Sequence, residues 1–301
     1  MTENATAKPQ SDCHTAHVWV DSRCRIAESP RWDERRGGEL LWVDLDDGVL
    51  WRWSADRGAV HAALGRATGV AAPRRGGGLV TAGPGGFTWM DDCGTTGRTV
   101  DLPEDWSVMR MNDGACDPAG RLVCGSTPWE AGRRTGTLYQ LSGDGSVRVL
   151  LTGLGMSNGV AWSPDGMSMH HVDSLAYTVS TYDYSPQTGE LGERRAMFRI
   201  DPSVGMPDGL AVDEDGLLWV AIWGGHRVTR YTADGTRLAD VAVPARYVTS
   251  CIFGGLDRGD LYITTARWDL DDSALAGEPA AGGVFRCRVG VRGMAPALFD
   301  G

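Results

Sequence analysis

One short phrase recurs six times along these 301 residues, with starts 41 to 50 residues apart, and that period constrains the fold more than any other feature. The phrase is a small or polar residue, an apolar stretch, an Asp/Pro/Gly turn and then a β-rich run. Its starts are Glu28 (AESPRWD), Gly69 (GVAAPRRGG), Asn112 (MNDGACDPAG), Asn158 (SNGVAWSPDG), Asp208 (PDGLAVDEDG) and Ser250 (TSCIFGGLDRG). A period of this size marks a unit that cannot bury its apolar face alone and must stack on its neighbours.

Each unit divides into four short strands. A run such as GVAWS (159–163) or GLAVD (209–213) leads into the turns DPAG (117–120), SPDG (163–166) and DEDG (213–216), where Gly supplies the positive φ that hairpins need. Second runs are β-branched or aromatic, as in ELLWVDL (39–45), RLVCGST (121–127), LLWVAIW (217–223) and DLYITTA (260–266). Third runs such as GVLWRWS (48–54) and fourth runs such as RLADVAV (237–243) close the unit. Six units of four antiparallel strands, with no convincing amphipathic helix, predict an all-β, six-bladed β-propeller. The segment 17–26 precedes Glu28 as fourth strands precede the other starts, so it should complete the last blade and close the ring. Residues 1–13 read as a disordered tail and 14–301 as one propeller domain. The 12 Trp are expected mainly in packing between blades.

Composition narrows the function. A net charge of −10 argues against a nucleic-acid partner, and no stretch of 18 apolar residues exists to cross a membrane. The polar N-terminus lacks an apolar core of the secretory kind, so the expected location is the cytoplasm. Seven cysteines without a CxxC pair then read as mostly buried free thiols; a Cys116–Cys124 disulfide is disfavoured. No GxSxG elbow, HExxH pair or Walker loop is present, and the GGG at 76–78 lies in a turn between strands.

The start of each unit immediately precedes the innermost strand, so Glu28, Asn112, Asn158 and Asp208 should converge on the channel axis. Their oxygens suit a hard or borderline divalent ion or a polar ligand. Turn-capping Asn and Asp residues are the structural alternative. Against it, Glu is a poor turn residue, and buried strands follow SNG and PDG, where an unpaired polar group is costly.

ESPRWD, RMNDGACDPAGRL, SNGVAWSPDG, PDGLAVDEDGLLWVAIWGG and TSCIFGG together resemble the signatures of the senescence-marker protein/gluconolactonase/regucalcin family, from about residue 25 to 292. The resemblance implies a six-bladed propeller with one divalent cation on the axis, hydrolysing a sugar lactone. It implies Glu28, Asn158 and Asp208 as metal ligands, with Asp208 also assisting water deprotonation. Arg110, Asn112 and Glu130 fall on the family's substrate contacts, and segment 128–134 on a loop at the channel mouth. The cofactor is then one divalent ion, Ca²⁺ first, with Zn²⁺, Mn²⁺, Fe²⁺ and Mg²⁺ as alternatives. The partner is a small-molecule sugar lactone.

Two departures stand out: His170-His171 replaces a usually hydrophobic pair, and Ser126-Thr127-Pro128 replaces a usual Thr-Met. The histidines are expected in an altered blade-four strand, one of them partly exposed, rather than in a metal site. Hydrolysis of another ester or a non-sugar lactone, and a non-catalytic calcium-binding propeller, stay open as alternatives.

Overall fold

Alternating short runs and Gly turns give a chain whose regular structure is almost wholly strand. The computed structural model describes residues 13–301 except 131, 133 and 134. Blade one contains Ala27–Asp33, Glu39–Asp44, Val49–Ser54 and Gly58–Ala63, each antiparallel to the next. Blades two to five repeat this order from the inner strands Val70–Pro73, Met109–Cys116, Ser157–Trp162 and Met206–Val212. Blade six combines Tyr247–Gly254, Asp260–Ala266 and Val284–Arg288 with His17–Val20 from the N-terminus. The ring therefore closes on the expected segment, which removes the free edge a last blade would present.

The turn glycines behave as the pattern predicts: Gly120, Gly166 and Gly216 have φ of 88°, 72° and 80°. Apolar faces of neighbouring blades bury one another between sheets, with Trp32 stacked on Tyr262 at 5.4 Å between blades one and six. Trp219 meets Phe253 edge-on at 5.7 Å between blades five and six.

Some details differ from the sequence expectation. The tail expected over 1–13 lies outside the described residues except at Cys13, which opens the strand Cys13–Thr15, parallel to Arg237–Ala242 on the outer edge of blade five. A short helix, Asp272–Gly277, interrupts the blade-six hairpin; the side chain of Asp271 caps it by accepting from the N–H of Ala274. Six residues are too few to carry the apolar periodicity by which helices are read. Among the described cysteines, Cys24, Cys116, Cys124, Cys251 and Cys287 are buried free thiols and Cys93 is exposed. No helix among the described residues is long and apolar enough to cross a membrane.

The last dozen residues run across one end of the central channel. Gly293 bridges Asp213, the Phe299 N–H donates to the Pro73 carbonyl at 2.9 Å, and the Phe299 ring is fully buried against Trp89. These partners follow the far ends of the inner strands. The opposite end is the one where those strands begin.

Candidate functional site

The inner strands are not regular at their starts. Strand register slips between Glu28 and Arg31, between Met111 and Gly114, between Ser157 and Val160, and between Pro207 and Leu210. Such irregularities re-aim one or two side chains out of the pleat. Here they fall on Glu28, Asn112, Asn158 and Asp208, the residues singled out by the repeat. All four are buried, at 3–5% exposure.

Glycines let the strands come this close. A Cβ on Gly159 would stand 2.5 Å from the Leu210 nitrogen and 2.9 Å from the Asp208 carbonyl oxygen. A Cβ on Gly69 would lie 2.0 Å from the Asn112 carbonyl oxygen. The start at Gly69 thus contributes no ligand-type oxygen, but it allows blade three to approach the axis.

Glu28 and Asp208 are neighbouring carboxylates buried together. Burial first, and then the charge of Asp113, pushes the Glu28 carboxyl up to about 8. Asp208 is raised well above the usual carboxylate range by burial, then by Glu28 and Asp113, while Asn158 and Arg110 oppose the rise. Glu28 Oε2 accepts from the Ser29 N–H at 2.7 Å, and Asn158 Nδ2 donates to Ser174 Oγ at 3.1 Å. Asn158 Oδ1 and Asp208 Oδ1 are buried without any hydrogen-bond partner. Two orphaned oxygens beside a repelling carboxylate pair are costly in a bare fold. The set of two carboxylates and one amide suits a hard divalent cation, which would satisfy the oxygens and offset the repulsion. Among the described residues no group of three or more His, Cys, Asp or Glu side chains is placed to hold an ion. The present cluster falls below that count because its third oxygen donor is an amide.

Arg110 and Asn112 stand beside this cluster. Burial lowers the Arg110 guanidinium from its ordinary range, against the pull of Asp46, Glu28 and Asp208. Arg110 Nη1 donates to Asn112 Oδ1, and Asn112 Nδ2 donates to the Ser157 carbonyl at 2.8 Å, tying blade three to blade four. The guanidinium also lies over Trp129, 5.4 Å from the ring centroid. Glu130 follows Trp129 at the exposed end of the same hairpin, where Arg110 pairs with Thr127. The mouth loop expected over 128–134 lies partly outside the described residues.

Sequence reasoning missed the layer behind these residues. Asp113 accepts from Ser29 Oγ at 2.5 Å and from the Gly114 N–H at 2.7 Å, and Arg31 Nη2 lies 3.6 Å from the same oxygen. Ser29 has φ of 48°, a left-handed conformation uncommon without glycine. Its hydroxyl contact with Asp113 holds this turn, which aims the Ser29 N–H at Glu28. The ND pair in RMNDG was the available signal, since two adjacent polar residues in an inner strand cannot both point at the axis.

His170 and His171 are both buried, at 3% and 2% exposure, so neither is partly exposed as the sequence suggested. His170 Nδ1 pairs with Thr181 Oγ1 and His171 Nε2 with Ser157 Oγ, each at 2.9 Å. They pack inside blade four, and burial lowers both from 6.5 to about 4. The neutral rings of the fold protonate more readily in the unfolded chain. Stability is therefore expected to fall as pH drops from 6.5 toward about 4, by up to about 1.4 kcal/mol per pH unit for each ring. Urea unfolding from pH 7 to 4.5 should show a flatter profile for the H170Q/H171Q variant; a parallel profile would exclude the histidines as its cause.

A cavity of about 230 Å³ lies further along the channel, toward the C-terminal strap, between Trp32, Trp162, Phe253 and Met294. Its cysteines are poor nucleophiles: burial pushes Cys116 up to about 12 and raises Cys251 further. The reactive groups cluster at the other end.

Comparison with known proteins follows the same lines. Residues 26–267 match the family model described as the SMP-30/gluconolactonase/LRE-like region. Regucalcin of Gallus gallus is 38% identical over 290 residues, which cover 93% of this chain and 96% of that protein. A solved calcium-binding protein, regucalcin from Agrobacterium tumefaciens, superposes with a TM-score of 0.89 at 26% identity, covering 96% of this chain and 99% of that one. A Xanthomonas campestris gluconolactonase shares the fold, with a TM-score of 0.69 at 21% identity over 91% of this chain and 89% of its own. A propeller with these ordered motifs, matched across four fifths of its length, belongs to the SMP-30/gluconolactonase/LRE-like family.

Proposed function

We propose that this protein is a divalent-metal-dependent lactonase acting on a sugar lactone. The observation that carries this reading is the pair of orphaned buried oxygens, Asn158 Oδ1 and Asp208 Oδ1, beside the buried Glu28 carboxylate and the Arg110 guanidinium. Glu28, Asn158 and Asp208 would hold the ion, which supplies Lewis acidity toward a lactone carbonyl. Ca²⁺ stands first, given the all-oxygen donor set and the calcium-binding description of the Agrobacterium relative.

The chain's own groups do the rest. Asp208, besides helping to hold the ion, would accept the proton of the attacking water. Arg110 keeps N–H groups beyond those used on Asn112, and these meet the negative charge that develops on the carbonyl oxygen. Asn112, fixed between Arg110 and Ser157, retains a second amide N–H to orient the lactone. Glu130 accepts from a sugar hydroxyl at the rim. Water oxygen bonds to the carbonyl carbon, the ring C–O bond breaks, and the proton held at Asp208 passes to the leaving oxygen, giving the open hydroxy acid.

Proton release from a panel of aldonolactones, aryl esters and non-sugar lactones tests this directly. Metal-stripped protein should be inactive, and restoring a divalent ion should recover turnover of an aldonolactone above every aryl ester. Equal rates with and without metal would overturn the mechanism. The second reading, a calcium-binding propeller without turnover, draws on the calcium-binding description of the Agrobacterium protein and would show as ion binding with no hydrolysis of any substrate.

A further inference from the structure

We infer that the channel mouth carries a second-ring subsite, and that the preferred substrate is a lactone extended by a further pyranose, an aldobionolactone. The inference rests on the lactonase reading. It starts from three aromatic side chains to which the proposed chemistry gives no role: Trp223, Tyr247 and Trp268.

Strand register places them beside the candidate site. Trp223 pairs with Met206, two residues before Asp208. Tyr247 pairs with Trp223 and with Ala266, and Ala266 bridges Ile26, two residues before Glu28. The N–H of Arg267, which precedes Trp268, donates to the Arg25 carbonyl at 3.1 Å. Trp223 and Tyr247 thus stand at the ends of strands, and Trp268 in the turn just beyond one, that flank Asp208 on one side and Glu28 on the other. Blade six, whose inner strand has Ser250 at its start, stands opposite blade three, which supplies Arg110 and Asn112. A bound lactone would have hydrogen-bonding groups on one flank and an aromatic wall on the other.

The rings form a continuous surface. Trp223 and Tyr247 stack with centroids 4.4 Å apart and planes 22° apart, and Trp268 lies 6.1 Å from Trp223 at 55°. Trp268 is 40% exposed. A tryptophan used only for packing would turn its faces inward, as Trp42 and Trp219 do at 1% exposure. The electron-rich faces of Trp and Tyr attract the positive edge of C–H bonds, and a pyranose presents such bonds on one face and hydroxyls around its rim. Trp223 and Trp268 meet as a tilted pair, so a pyranose would lie against the exposed face of Trp268 and not between the two rings. The position at the solvent edge keeps the sugar hydroxyls hydrated, whereas an aryl group would be left half exposed.

The test compares glucono-1,5-lactone with cellobiono-1,5-lactone on metal-loaded protein. Wild type should turn over the disaccharide lactone with a kcat/KM on the order of fivefold to tenfold higher, about one aromatic contact. Trp268→Ala should lose that preference through KM while keeping its rate on glucono-1,5-lactone, and Trp268→Tyr should regain most of it. Equal kcat/KM for the two lactones in wild type, or a preference unchanged in Trp268→Ala, would overturn the subsite. If no lactone is hydrolysed, the lactonase reading fails by itself. Titration with cellobionate, read by tryptophan fluorescence, then decides the subsite: saturable quenching lost in Trp268→Ala upholds it, and no quenching in wild type overturns it.

Discussion

Asp208→Asn is expected to reduce lactone turnover on the order of a thousandfold, the scale of losing a preorganised charged group, while making the metal-free protein more stable. The two effects come from the same charge. Without an ion, Asp208 is buried beside Glu28 and Asp113, and its Oδ1 has no partner. Neutralising it relieves a repulsion that the fold otherwise tolerates. On the proposed reading that charge is a ligand once an ion binds, and its loss removes the stabilisation that ion binding brings. A cation at 100 times its Kd adds about 2.7 kcal/mol to the wild-type fold, or roughly 5 °C in Tm for a chain of this size. Thermal melts with chelator and with Ca²⁺ should therefore cross. Wild type gains on adding the ion, whereas Asp208→Asn starts higher and does not move. A variant less stable than wild type in chelator would show that Asp208 has a structural partner instead.

What the sequence made legible follows from what each residue does. The starts at Glu28, Asn112, Asn158 and Asp208 stood out because a buried strand seldom tolerates a polar residue ahead of its apolar run unless that residue finds a partner. The inner strands, the turns with positive φ and the closing strand near the N-terminus came from the same repeat. Asp113 and Ser29 were not readable, because their role is to hold Glu28, and that contact spans 84 residues between blades. The aromatic wall was only partly legible: Trp223 could be read as lining an apolar mouth, but Tyr247 and Trp268 lie far from it in sequence and each alone reads as packing. The burial of His170 and His171 depended on Thr181 and Ser157, partners that a single sequence does not reveal. Periodicity therefore locates the axis, while the groups that tune it are fixed by contacts between blades.

Gly159→Ala is expected to be a strongly damaging single-methyl change, and it falls directly between two of the proposed ligands. The added carbon would meet the Leu210 nitrogen at 2.5 Å and the Asp208 carbonyl oxygen at 2.9 Å, both backbone atoms that cannot rotate away. Blades four and five would have to part, at about 1–3 kcal/mol or more for overpacking. The displacement falls between Asn158 and Asp208, so ligand spacing suffers along with stability. Placement errors of about 1 Å at a site of this kind cost on the order of a hundredfold in rate. Gly76→Ala is the matched control, because a Cβ there meets nothing within 4 Å and needs no left-handed backbone; its stability should stay within about 0.5 kcal/mol of wild type. Urea unfolding and Ca²⁺ titration of both variants give the two readouts. Gly159→Ala should lose stability in chelator and bind Ca²⁺ more weakly. Full Ca²⁺ affinity in that variant would mean that the two blades can separate without disturbing the oxygens, and the convergence of inner strands would then not be what shapes the site.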